Sequence, residues 1–319
     1  MAAQISRTAL KSRYRVSGDL VLDTALHLGG GRNPAKGTDS PILRDGFGKP
    51  YLPGSSLKGA LRAAVERIAP NLNVSACGLF ASDEAPGSEA NVTSFCLTPL
   101  REEHPARKAY RELEEGISKP LSKELKEKAE KHLKNGAYHL KTNASITEEL
   151  LVGVLEKNLC EVCKAFGAPF IGSAIYFHDA SINEANWLGL TQVRDGVGID
   201  RDSGRAVDRI KYDYEIVPPQ TVFNFSMTIE SGEAMALGLA ALALHELQQG
   251  NVPLGGIRSR GLGRCHLASE TTKVEALDFR NIESLKAYLT KNELKPLTLD
   301  DFIQQHIKNL WAEQEASHV

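Results

Sequence analysis

The run Asp39-Ser-Pro-Ile-Leu-Arg-Asp-Gly-Phe-Gly-Lys-Pro-Tyr-Leu-Pro-Gly-Ser-Ser-Leu-Lys-Gly-Ala-Leu-Arg-Ala-Ala-Val-Glu66 decides how the chain is built. Its first half reads as a polar turn from Asp45 to Lys49. Its second half starts a helix: Pro53-Gly54 punctuates, Ser55 or Ser56 can cap, and Leu57, Leu61 and Val65 form an apolar stripe. Lys58 and Arg62 stand one turn apart beside a helix N-terminus whose amides favour an anion, an arrangement that can hold a nucleic-acid backbone. The same residues also suit an ordinary cap followed by a solvated basic face.

Composition narrows the partners. The 319 residues carry 38 Lys+Arg against 40 Asp+Glu, a formal charge of −2, so no global basic field attracts a polyanion and any nucleic-acid site must be local. No apolar run reaches the roughly 18 residues of a membrane span, and Met1 to Arg15 lack the apolar core of a signal peptide, so a cytoplasmic protein without membrane contact is expected. Five cysteines, Cys77, Cys96, Cys160, Cys163 and Cys265, argue against a disulfide framework.

Working outward, Arg13 to His27 alternates as a strand that a turn at Ser17-Gly18 can interrupt, and the glycine run Gly29-Gly30-Gly31-Arg32 follows. There the backbone can pass close to a ligand, or simply turn. An irregular stretch from Asn71 to Leu100 gives way to a Glu/Lys-rich segment, 101–157, that reads as exposed helices inserted into the main domain. Cys160-Glu-Val-Cys163 offers two thiolates for a tetrahedral metal, a redox pair, or two small buried residues. With Cys77 and Cys96 the thiols number four, enough for a closed zinc site, and His104 or His139 can replace either.

Phe170 to Asp179 alternates as a strand, and 191–218 reads as a long hairpin turning at Asp202-Ser203-Gly204. Its charges nearly cancel, so a salt-bridged surface hairpin is one reading. Phe223 to Ile229 is a further strand, Glu233 to Gln249 an amphipathic helix, Arg264 to Ala268 a strand, and the chain from Leu277 a helical tail broken at Pro296. Between helix and strand, Pro253-Leu-Gly255-Gly256-Ile-Arg258-Ser-Arg260-Gly261-Leu-Gly-Arg264 sets arginines among glycines. Glycines placed after a helix do not form a dinucleotide fingerprint, but they let the backbone approach phosphates while guanidinium groups bridge them.

Asp39-Ser-Pro with Leu-Pro-Gly-Ser-Ser-Leu-Lys-Gly, Cys-x-x-Cys-x-x-Phe-Gly before the second half, and Gly-Gly-x-Arg-Ser-Arg-Gly-Leu-Gly near the end resemble the backbone subunits (Cas-seven group) of type III CRISPR effector complexes. These belong to the RAMP superfamily, and the wording around the hairpin is similar to type III-D members. The resemblance implies an α+β, ferredoxin-like and RRM-related core over 1–100 and 158–275. It also implies a thumb hairpin near 191–218, a helical insertion at 101–157 and a C-terminal helical tail at 276–319. Asp39 would be the catalytic residue, cutting target RNA by internal attack of a 2′-hydroxyl, with a divalent ion such as Mg2+ neutralising charge.

The RNA contacts so implied fall in four groups. Gly30, Gly31 and Arg32 lie in the first glycine run; Ser55, Ser56, Lys58 and Arg62 at the helix; Arg194, Arg201, Arg205 and Arg209 on the thumb; Gly255, Gly256, Arg258, Arg260 and Gly261 in the second glycine loop. Cys77, Cys96, Cys160 and Cys163 would hold structural zinc. Partners would be crRNA, target RNA and other effector subunits in a filament-like complex. A scaffold subunit that does not cut is the main rival; a guide-processing endonuclease using His27 is another.

Overall fold

The computed structural model describes residues 10–31, 38–77, 159–168 and 171–311, and of 208–210 only the backbone. The insertion at 101–157, with Arg32, Cys96, His104 and His139, lies outside the described residues. Contacts divide the chain into two units, Lys11–Ile68 with Ile175–Val319, and Met1–Leu10 with Ala69–Ala174.

In the first of these, strand β1 (Ser12–Leu22) is central. One edge pairs antiparallel with β7 (Val222–Glu230) from Arg13↔Glu230 to Val21↔Val222. The other is shared by β9 (Lys273–Asp278), opposite the first half of β1, and β8 (Cys265–Leu267), opposite its end. Beyond β7 lies β3 (Ile175–Phe177), and beyond β9 lies β10 (Lys295–Thr298), giving the order β10-β9-β1-β7-β3 with β8 beside β1. The turn expected at Ser17-Gly18 does not occur; β1 runs straight through. Gly18 is required for a different reason: a Cβ there would lie 2.2 Å from Thr272 Oγ1, where the neighbouring chain crosses from β8 to β9.

Helix α1 (Gly54–Ile68) follows a short β2 (Tyr51–Leu52), which pairs with β4 (Ala180–Ser181). The expected stripe of Leu57, Leu61 and Val65 is fully buried. Helix α3 (Ala234–Gln248) is buried on nearly every face rather than amphipathic, because it contacts α1, β8 and the C-terminal helix α5 (Leu299–Ile307). The order strand, helix, strand, strand, helix, strand thus runs β1-α1-β3-β7-α3-β8 through one antiparallel sheet.

The tail is not wholly helical. Alongside α4 (Ile282–Lys291) and α5 it supplies the end of β9 and all of β10, and Pro296 lies within edge strand β10, where its missing N–H costs no ladder bond. The expected strand Phe170 to Asp179 is shortened to β3, and none of the described helices is long and apolar enough to cross a membrane.

In the other unit, helix α2 (Glu161–Phe166) is capped by Cys160, whose Sγ accepts the Cys163 N–H at 3.3 Å. Cys77, Leu159 and Cys163 form a small buried cluster against Ala168 and Ile171.

Helix α5 docks through a buried histidine. His306 packs edge-on to Tyr14 of β1, centroids 5.3 Å apart, beside Phe302, and its Nε2 has no partner among the described residues. Burial, then the charge of Lys308, lower its pKa from 6.5 to about 4. Below pH 6.5 the unfolded chain therefore takes up a proton that the folded one refuses, and stability falls as pH drops from 6.5 towards 4. We predict that His306→Leu flattens this loss, which amounts to about 2–3 kcal/mol. Urea unfolding across that range checks it, and parallel pH curves for both proteins would refute it.

Candidate nucleic-acid interface

Strands β5 (Gln192–Ile199) and β6 (Ala206–Ile216) form an antiparallel hairpin outside the main sheet. The turn spans Asp200 to Arg205, closed by the Asp200 N–H to the Arg205 carbonyl at 2.8 Å and stiffened by the Asp200 carboxylate, which accepts from the Ser203 hydroxyl at 2.6 Å. Arg194, Arg201 and Arg205 are exposed and have no ion-pair partner among the described residues; the Arg209 side chain lies outside them. Among the described residues, Lys211–Asp195 at 3.3 Å is the ion pair within the hairpin that matches the salt-bridged reading.

Side chains alternate across β6, so the base of the hairpin has two faces. On one, Tyr212 and Tyr214 stack with centroids 6.2 Å apart and Tyr214 packs with Ala25, Ile216 and Leu262. On the other stand Asp213 and Glu215. The Glu215 carboxylate accepts from the Ile42 N–H at 3.0 Å, from Thr191 Oγ1 at 2.5 Å and from Arg44. Burial alone would raise its pKa, but the hydrogen bonds from Thr191 and Ile42 and the Arg44 charge together lower it, so it is ionised.

The segment carrying Asp39 lies along the outer edge of β6, where Ser40 bridges Tyr214 in parallel and its carbonyl accepts the Glu215 N–H at 3.0 Å. Asp39 is exposed. Its Oδ2 accepts the Asp213 N–H at 3.1 Å, and its own N–H donates to Asp213 Oδ1 at 2.6 Å. The second carboxylate beside Asp39 is invisible in sequence, 174 positions away. His27 is buried, with Nδ1 2.7 Å from the Glu215 carbonyl and Nε2 3.3 Å from Ser40 Oγ, so neither ring nitrogen faces solvent for acid–base work.

The glycine-arginine loop closes over the other face. Gly255 has φ +71°, and a Cβ there would lie 2.3 Å from the His27 carbonyl, which accepts the Gly256 N–H at 2.9 Å. Ile257 holds a left-handed φ of 58°, unusual for a β-branched residue, and packs against the Tyr214 cluster. Arg260 lies over the Tyr212 ring, 5.6 Å from its centroid, and donates to the Tyr212 hydroxyl. Arg258 donates to the Gly255 carbonyl at 2.8 Å, and it and Gly261 are exposed. The Asp39 segment and this loop are thus both attached to the hairpin base, one through Asp213 and the other through Tyr212 and the Tyr214 cluster.

The other expected contacts sit differently. Gly30 is paired, its N–H donating to the Pro41 carbonyl at 2.9 Å; Gly31 is exposed. Among the described residues neither Ser55 nor Ser56 caps α1 through its side chain; the Gly54 N–H, the first amide of α1, donates to Asp179 Oδ1 at 2.7 Å, so a carboxylate already stands where a phosphate was expected. Arg62 is not on a solvated face. It is buried and paired with Glu66 at 2.8 Å, while burial, then the Arg62 charge, lower the pKa of half-buried Lys58.

In the other unit, Cys77 and Cys163 Sγ are 3.4 Å apart, and with Cys160 all three sulfurs lie within 4.8 Å of one another. A tetrahedral zinc with bonds of about 2.3 Å sets its sulfurs about 3.8 Å apart, so the three thiols fit such an ion.

A family model for the RAMP superfamily matches residues 19–266. Relatives each named CRISPR system Cms endoribonuclease Csm3 match over short segments: 47% identical over 60 residues in Methanocaldococcus jannaschii, and 37% over 59 in both Methanothermobacter thermautotrophicus and Enterococcus italicus. Each segment covers 18% of this chain and 24%, 24% and 28% of the respective relatives. The family match takes in Asp39, the hairpin and the glycine-arginine loop, and by its extent this chain belongs to the RAMP superfamily.

Proposed function

We propose that this chain is a backbone subunit of a type III CRISPR ribonucleoprotein, binding crRNA and cutting the paired target RNA at the phosphate beside Asp39. The observation that carries this reading is the exposed Asp39 carboxylate, held by Asp213 at the base of a hairpin to which the arginine-glycine loop is also attached through Tyr212. Membership of the RAMP superfamily and relatives named as CRISPR endoribonucleases support it. The order β1-α1-β3-β7-α3-β8 suits a ferredoxin-like, RRM-related core, and the hairpin suits a thumb whose Arg194, Arg201 and Arg205 meet phosphates without reading sequence.

In the reaction, the 2′-hydroxyl next to the scissile phosphate gives its proton to Asp39 and its oxygen bonds to phosphorus. The bond from phosphorus to the 5′-oxygen breaks, that oxygen takes up a proton from water, and a 2′,3′-cyclic phosphate and a 5′-hydroxyl result. Oδ1 of Asp39 has no hydrogen-bond partner among the described residues, which leaves it open to accept that proton. Its exposed oxygen also suits a hard cation; Mg2+, when bound there, would neutralise developing charge. Neighbouring effector subunits would place the thumb between guide and target in a filament-like, cytoplasmic assembly. The buried, engaged His27 argues against guide processing. Cys77, Cys160 and Cys163 would hold structural zinc with a fourth ligand from outside the described residues.

Asp39→Ala in the assembled complex should abolish one specific cut, slowing it at least about 100-fold while target binding persists; mapping products by length checks this, and an unchanged ladder would make the chain a scaffold. Purified chain should carry about one zinc ion, lost in Cys163→Ser. Metal analysis reads this directly, and a metal-free chain that melts as before in chelator would exclude the zinc.

A further inference from the structure

A carboxylate that takes a proton in an in-line displacement must be held to within a fraction of an ångström, because small misplacements cost large factors in rate. Asp39 lies on an exposed segment, and two bonds fix it. The Asp213 N–H holds its side chain, a bond that any residue at 213 could supply. The Asp213 carboxylate holds its backbone N–H at 2.6 Å, a bond that needs an acceptor at that position.

Asp213 is itself immobilised from both sides along β6. Tyr212 before it is held by Arg260, and Glu215 after it by Ile42, Arg44 and Thr191. Opposite it in the register stands Asp195, paired with Lys211. We propose that Asp213 is the positioning residue of the reacting carboxylate, clipping the Asp39 backbone to the hairpin so that the acid is aligned only while the hairpin base is in place. This rests on the reading that Asp39 cuts RNA, and it extends that reading to a residue on a different element.

The test is single-turnover cleavage of target RNA by the assembled ribonucleoprotein carrying wild-type, Asp213→Ala, Asp213→Asn or Asp39→Ala subunit, with target affinity and melting temperature measured in parallel. Asp213→Ala should slow the cutting step by roughly 10–100-fold with affinity and melting unchanged, and Asp213→Asn, which restores a neutral acceptor, should recover the rate to within about fivefold of wild type. An alanine variant that cuts at the wild-type rate overturns the proposal. So does an asparagine variant as slow as alanine, which would assign the effect to charge, or a fall in affinity or melting in step with the rate, which would make Asp213 merely structural. If Asp39→Ala itself cuts normally, the nuclease reading fails and takes this inference with it. If Asp39→Ala is dead while Asp213→Ala is not, only the inference fails.

Discussion

The geometry around Asp39 depends on the Glu215 carboxylate. A buried carboxylate is costly unless it is paired, and this one is paired three times, to residues on both sides of the chain's long middle section. Those bonds fix more than Glu215. In a strand the faces alternate, so a slip of one residue in β6 would carry Asp213 and Glu215 to the tyrosine face and bring Tyr212 and Tyr214 round to Asp39. By holding the register of β6 at its buried end, Glu215 decides which side chain meets the acid.

The other face of the same strand serves the glycine-arginine loop. Tyr212 and Tyr214 form a short aromatic wall, Arg260 lies on it, and the left-handed Ile257 is held there by packing against the same cluster. Gly255 must be glycine because the His27 carbonyl lies where its Cβ would be. Two loops far apart in sequence are thus locked to one strand by different chemistry, ionic and hydrogen-bonded on one side, aromatic and close-packed on the other. An arginine in such a loop does two things at once: Arg260 carries charge to the surface and fixes the hairpin.

What the sequence makes legible is what repeats locally. Leu57, Leu61 and Val65 mark α1 because a helix brings every fourth residue to one side, and Asp202-Ser203-Gly204 falls within the hairpin turn because turn residues act on their own backbone. The Asp39–Asp213 exchange could not be read this way, since nothing periodic links residues 174 positions apart. Arg62 was misplaced because basic residues at helical spacing usually face water, whereas Glu66 one turn on lets this one be buried. β10 was missed because four residues with a proline show no alternation, and its partner β9 supplies the pairing.

That last strand bears on how the chain can meet its neighbours. An open sheet edge invites strand addition from another molecule, and β10 is the edge on its side of the sheet among the described residues. It is only four residues long, begins with Lys295 and carries Pro296, which has no N–H to offer. A short edge with a charge and a proline is a poor template for an added strand, so that side is closed to sheet extension.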